Sequence, residues 1–223
     1  FRSGEVYDGN PQVMSQYTTA GRLQATLDFG FQQQGVDFAK GKPAGALADF
    51  FAKDDWYTDA DSNAYQLPTF LGNHDMGRAA MFLQEGAADE TEHLARVALA
   101  QSLMFTTRGN PVTYYGDEQG FTGVRGESWS ADDAVRPALP ASPAELSPLG
   151  SWLFTEYQRL IGVRRRNAWL TRATVEVLDK TNETISFRAF DGEHTLQTDL
   201  WLTPTPGVRV HSGGDELYSW MLK

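Results

Sequence analysis

The segment that most constrains the fold runs from Leu67 to Arg78, with the sequence LPTFLGNHDMGR. A mainly apolar run ends at Gly72, and the polar side chains of His74 and Asp75 follow closely. This order is typical of a buried parallel strand with polar groups at its carboxyl end, where barrel enzymes carry their active sites. A strand followed by a helix cap, with Asp75 accepting backbone N–H bonds, fits equally well. Other parts of the chain must separate the two interpretations.

The amino-acid composition excludes several classes of partner and chemistry. The chain has 223 residues, 41% of them hydrophobic, which is enough for a sizeable core in one or two domains. A net charge of −10 disfavours nucleic acid and anionic membranes as partners. The absence of cysteine excludes disulfides and thiol catalysis. Because no apolar run approaches the ~20 residues of a membrane span, we expect no membrane partner.

Strand and helix signals alternate through the first two-thirds of the chain. The patterns predict strands over Thr26–Phe31, Leu67–Leu71 and Val112–Tyr115, and helices over Gln12–Tyr17, Ala44–Trp56, Glu92–Thr107 and Trp152–Arg166. Such alternation predicts a parallel sheet, open or closed. Acidic residues stand at four successive strand ends, namely Glu5, Asp28, Asp75 and Asp117. Four β/α units are half of an eight-fold barrel.

Beyond about Thr171 the pattern changes to β. Alternating segments predict strands over Thr174–Leu178, Ile185–Phe190, Leu196–Leu202 and Val208–His211. They predict a small antiparallel domain of roughly 50 residues, near the lower limit for independent stability, so we expect it to lean on the barrel.

Three motifs carry a resemblance to a known family. GEVYDGNP at Gly4–Pro11, FLGNHDMGR at Phe70–Arg78 and GNPVTYYGDEQG at Gly109–Gly120 resemble ordered motifs of the α-amylase family, glycoside hydrolase family 13. The resemblance implies an α/β fold, the C-terminal half of a (β/α)8 TIM barrel from the end of strand five to helix eight. That part would occupy residues 1–170, with a C-terminal β domain at 171–223.

The resemblance also implies roles for individual residues. Glu5 resembles the general acid/base after strand five, a task that needs a carboxyl group whose pKa is raised by its surroundings, as burial among carboxylates would do. Asp75 resembles the aspartate that stabilises the oxocarbenium-like transition state, and His74 resembles the histidine that binds the same sugar ring. The alternatives are a solvated charge at Glu5 and structural roles for the other two.

The nucleophile is the main open point. Reasoning from the residues alone would pair Glu5 with Asp75, since retaining hydrolysis needs two carboxyl groups about 5 Å apart. The family instead has its nucleophile on strand four, in a motif GxRxD that does not occur in this sequence. We follow the family and expect the nucleophile strand outside these 223 residues. The sequence opens at Phe1 without Met or a readable signal peptide, so a leader lies upstream or the start is internal.

Other polar and aromatic residues are weaker candidates. Arg78 is a candidate substrate ligand, with a structural ion pair as an equal alternative. We expect Asp117 and Glu118 to brace the loop after strand eight, and Asp28 is ambiguous. The aromatic residues Tyr114, Tyr115, Trp56 and Trp129 either stack on sugars or belong to the core. Histidine spacing indicates no transition-metal site, and we expect any calcium, common in the family, to be bound through the N-terminal half.

These observations predict a retaining α-glycoside hydrolase acting on α-linked glucans such as starch, glycogen and maltooligosaccharides, with this chain alone inactive as a fragment. The first alternative is a transglycosylase or glucosyltransferase that resolves the same intermediate with a sugar hydroxyl. The second is a non-catalytic glucan-binding homologue. We expect a soluble protein of bacterial type, and the sequence leaves secretion or a cytoplasmic location open.

Overall fold

A computed structural model describes residues 2–57, 67–123, 136–142 and 145–221. Its helices are α1 (Pro11–Thr19), α2 (Phe29–Ala39), α3 (Gly45–Phe51), α4 (Ala79–Leu83), α5 (Glu90–Thr106) and α6 (Pro148–Arg166). Its strands are β1 (Ser3–Gly4), β2 (Ala25–Thr26), β3 (Pro68–Thr69), β4 (Asn110–Pro111), β5 (Thr174–Lys180), β6 (Thr184–Phe190), β7 (Thr195–Trp201), β8 (Gly207–Ser212) and β9 (Asp215–Met221). The candidate stacking residue Trp129 lies outside the described residues.

The first four strands form the parallel arrangement that the sequence predicted. β1 pairs with β2 and β3 pairs with β4, both in parallel. The Asp28 N–H donates to the carbonyl of Pro68 at 3.0 Å and so joins β2 to β3. The order is therefore β1-β2-β3-β4, with helices between successive strands. This is part of a β/α barrel whose strand carboxyl ends meet at one edge.

The strand predicted over Leu67–Leu71 is limited to Pro68–Thr69, and two other strand predictions were also wrong in extent. The segment predicted as a strand over Thr26–Phe31 turns into α2 after Asp28, because the Asp28 carboxylate accepts a bond from the Phe31 N–H at 3.0 Å and caps that helix. The strand predicted over Val112–Tyr115 lies earlier, at Asn110–Pro111. In both cases a local polar contact or turn replaces the apolar continuation that the sequence suggested.

The helix α5 is the centre of the core. Thirteen of its seventeen residues are buried, as its apolar circumference predicted. The Asp89 side chain accepts from the Glu92 N–H at 2.8 Å and fixes where the helix begins. At its end, Arg164 of α6 donates to the carbonyls of Phe105, Thr107 and Gly109. Burial lowers the pKa of Arg164 to about 10.

The C-terminal sheet is antiparallel and has five strands in the order β5-β6-β7-β8-β9. Four of them match the predicted strands. The fifth, β9, was missed because Asp215 and Glu216 begin it and hide the short alternation around Tyr218 and Trp220. One face of the sheet joins the buried residues of α3 and α5 in a continuous core, so the sheet does lean on the barrel helices. The boundary at residue 170 stays a prediction.

Candidate active site

A tight loop carries the polar residues that follow β3. The N–H of Asn73 donates to the carbonyl of Gly77 at 2.9 Å, and the Gly77 N–H donates back at 3.1 Å. The Asn73 side-chain oxygen also accepts from the N–H groups of Asp75 and Met76, at 3.0 and 2.6 Å. Gly77 closes the loop at φ +114°, a conformation that favours glycine. The loop thereby turns the side chains of His74 and Asp75 toward solvent.

A cleft of about 200 Å³ lies at the carboxyl ends of the four parallel strands. Its lining includes Glu5 after β1, Leu27 after β2, His74 after β3 and Tyr114 after β4. The fold therefore brings two of the predicted site residues, Glu5 and His74, into one cleft. Tyr114 joins them as an aromatic surface.

Glu5 is exposed to solvent. Sequence reasoning expected burial among carboxylates at this position, and the described residues do not provide it. The carboxyl group instead lies at the open edge where β1 ends. Its predicted role in proton transfer stays a prediction.

Asp75 lies beside His74 and next to a residue that the sequence did not single out. The His74 Nε2 and an oxygen of Asp75 are 3.3 Å apart. The same Asp75 oxygen is 3.5 Å from Nη2 of Arg136, which also contacts the carbonyl of His74 at 3.4 Å. Within the described part of the chain, the cleft lining does not include Asp75. Arg136 lies 61 positions away and follows no motif, so the sequence carried no signal for it.

Arg78 does not reach the cleft. Its side chain is fully buried, and its Nη1 donates to the carbonyl of Tyr115 at 2.5 Å and to Asp117 at 3.2 Å. The structure places Arg78 in an ion pair with Asp117, one of its two predicted roles, and leaves no atom of its side chain accessible from the cleft. Burial raises the pKa of Asp117 to about 7, although the Arg78 charge opposes that rise.

A second buried arginine, Arg108, connects the segment before β4 to the segment after β2. Arg108 is fully buried and donates to Asp28 at 2.6 Å and to both oxygens of Asp54, at 2.8 and 2.6 Å. Burial acts to lower the pKa of Arg108, but the carboxylates of Asp54 and Asp28 outweigh it and raise that pKa. Asp28 is therefore a helix cap and an ion-pair partner, which resolves its ambiguity as structural.

The described residues contain no group of three or more His, Asp or Glu side chains placed to hold a metal ion. A calcium site involving other parts of the protein stays a prediction. A larger, polar cleft of about 590 Å³ lies where α5 and α6 begin, and it contains none of the predicted site residues. In the described ranges, no helix is long and apolar enough to cross a membrane.

Comparison with known proteins decides the family. Residues 1–145 match the model of the alpha-amylase catalytic domain. The chain belongs to the alpha-amylase family. An alpha-amylase of Streptomyces lividans is 47% identical over 148 residues, which cover 65% of this chain and 16% of that protein. A 4-alpha-glucanotransferase of Thermotoga maritima is 30% identical over 151 residues, covering 57% of this chain and 33% of the relative.

The fold agrees with solved structures of this family. The alpha-amylase of Geobacillus thermoleovorans, complexed with acarbose, superimposes with a TM-score of 0.71 at 17% identity. The match covers 99% of this chain and 50% of that chain. The chain thus has the fold of half an alpha-amylase, and it spans a minor part of the two curated relatives.

Proposed function

We propose that the protein carrying this chain is a retaining hydrolase of α-linked glucans, of the α-amylase type. The observation that supports this proposal is the meeting of Glu5, His74 and Tyr114 in one cleft, from three different strand ends. A carboxyl group, a ring nitrogen and an aromatic face are what a sugar ring needs for proton transfer, hydroxyl binding and stacking. Family membership makes an α-glucan the substrate class of choice.

Glu5 is the proposed general acid/base. It would protonate the departing glycosidic oxygen in the first step and remove a proton from water in the second. Its exposure in the present arrangement leaves room for a glycosidic oxygen to approach. Substrate and the remainder of the barrel would supply the burial that the reaction needs.

His74 and Asp75 are proposed to hold the sugar ring at the cleaved bond. Their contact at 3.3 Å keeps the imidazole and the carboxylate side by side on one loop. The carboxylate would stabilise positive charge on the ring as the bond breaks, and the imidazole would bind a hydroxyl. The nucleophile is proposed to come from a strand that this chain does not include.

Transglycosylation is the second candidate, because the Thermotoga maritima relative is a 4-alpha-glucanotransferase. The two reactions share the covalent intermediate and differ in whether water or a sugar hydroxyl resolves it. The residues in the cleft serve both reactions equally.

Joining this chain to the upstream half of its barrel tests the proposal. The joined protein, this chain alone and the upstream half alone are incubated with starch and with maltotriose, and the products are separated by chain length. Hydrolysis predicts new reducing ends from the joined protein only. A transferase would instead lengthen maltotriose without increasing reducing ends. Glucan binding with neither reaction would contradict enzymatic function and favour the non-catalytic homologue.

A further inference from the structure

Arg78 connects the two loops that border the cleft on one side. It follows the loop of His74 and stands directly before α4, whereas its partners Tyr115 and Asp117 follow β4. The Asp117 carbonyl is itself fixed by the side chain of Gln101 on α5, at 3.0 Å. The buried guanidinium is therefore connected to the core helix α5 through Asp117.

The guanidinium of Arg78 also lies over an aromatic ring that lines the cleft. Its central carbon lies 4.3 Å from the ring centroid of Tyr114 and 4.8 Å from that of Tyr115. A cation at this distance from the face of a ring attracts it, and more strongly when water is excluded. Tyr114 also lines the cleft, and its ring centroid lies 6.5 Å from that of His74.

We propose that Tyr114 is the aromatic wall on which a glucose unit stacks, and that Arg78, held by Asp117, is its positioning residue. The inference rests on the proposed function, since it needs a glucan in the cleft. The C–H face of a pyranose ring packs against the phenol ring while His74 binds a hydroxyl of the same glucan. A ring that is held in one orientation loses less conformational entropy on binding than a mobile ring.

The chain offers a matched control for a purely structural arginine. Arg108 is also fully buried and ion-paired, but the ring that its guanidinium lies over is that of Phe50 in the core, 5.6 Å away. Phe50 does not line the cleft. Arg108→Lys keeps a positive charge between Asp28 and Asp54, so it alters a buried arginine without removing the ion pair that joins the two β/α units.

The test measures the Kd of maltotriose by calorimetry in the joined protein, with Glu5→Gln to block turnover. Arg78→Lys keeps the charge and loses the planar face, so we expect Kd to rise roughly tenfold. Tyr114→Ala should raise Kd to a similar extent, and Tyr114→Phe should leave it nearly unchanged. Because both residues act as one unit, the variant combining Arg78→Lys with Tyr114→Ala should bind no more weakly than Tyr114→Ala alone. Arg108→Lys should leave Kd within about twofold of the parent, the usual limit of additivity error.

Asp117→Asn tests the same role from the other partner. The substitution keeps the size of the side chain at position 117 but loosens the anchor of Arg78, so it should also raise Kd. An unchanged Kd in the folded Arg78→Lys and Asp117→Asn variants would contradict the positioning role. Effects of Arg78→Lys and Tyr114→Ala that multiply in the double variant would contradict it as well. A parent protein that binds no maltotriose would contradict the proposed function itself, a result distinct from both.

Discussion

The guanidinium of Arg108 and the carboxylate of Asp28 are 2.6 Å apart and both fully enclosed, although 80 positions separate them in the chain. This ion pair ties the segment before β4 to the segment between β2 and α2. Asp54 completes it through two bonds from the same guanidinium. The pair therefore fixes the relative positions of two β/α units.

Replacing Arg108 should destabilise the joined barrel severely. Arg108→Met leaves the Asp28 carboxylate buried without its partner, and breaking a buried pair in this way costs about 3–5 kcal/mol of unfolding free energy. Urea titration followed by circular dichroism measures the loss. Arg188→Met, which breaks the exposed pair with Glu176, is the matched control and should cost about 1 kcal/mol or less. Equal losses in the two variants would contradict a special role for the buried pair.

The buried carboxyl group of Asp117 should make the free energy of unfolding depend on pH. Because burial raises the pKa of Asp117 to about 7, the folded protein binds this proton more tightly than the unfolded chain. The stabilisation that comes from the proton on Asp117 is fully present below the pKa of the unfolded chain, near 4. It decreases as the pH rises and is lost above about 7.

Asp117→Asn isolates that contribution, since it cannot ionise. The substitution also weakens the anchor of Arg78. This loss should lower the unfolding free energy of the variant by an amount that does not change with pH. The unfolding free energy of the variant minus that of the parent should therefore increase from pH 5 to pH 8. A difference that stays constant over this range would show that Asp117 does not titrate there.

Gly77 should be required for the shape of the His74 loop. A Cβ at this position would lie 2.2 Å from Cε of Met81, and the φ of +114° is strained for other residues. Gly77→Ala should cost about 1–3 kcal/mol and weaken maltotriose binding, because the loop must shift. Gly192→Ala shares a positive φ of +95° but meets no atom within 4 Å and lies far along the chain in the C-terminal sheet. This control should lose some stability and retain binding, and loss of binding in both variants would contradict a local effect.

Sequence reasoning predicted the architecture well, because it rests on periodic burial. The apolar circumference of α5 and the alternation of β6 and β7 are repeated signals that survive local exceptions. Strand ends were predicted less well, since a single contact such as the Asp28 cap decides them. The Glu5 and His74 positions came from motifs. Arg136 and the burial of Arg78 arise from contacts with residues distant in sequence, which no local pattern encodes.

The isolated chain should be poorly soluble or unfolded. Among the described residues, β1 pairs with β2 alone and β4 with β3 alone, so the half-barrel presents open edges to other chains. Size-exclusion chromatography should show aggregates, and heating should show no cooperative transition. A monomeric species with a sharp thermal transition would contradict this prediction and indicate that the continuous core suffices for stability.

The most direct measurement of the central claim concerns Glu5 in the joined barrel. Glu5→Gln keeps the size and polarity of the side chain and removes the carboxyl group that would give up and take back the proton. Loss of general acid/base catalysis should lower kcat on maltooligosaccharides by about 10²–10⁴-fold, while the Kd of maltotriose changes little. Glu193→Gln, which changes an exposed carboxyl group in the turn between β6 and β7, is the matched control and should retain activity. Near-normal turnover in Glu5→Gln would contradict the assignment of Glu5 and the active site proposed around it.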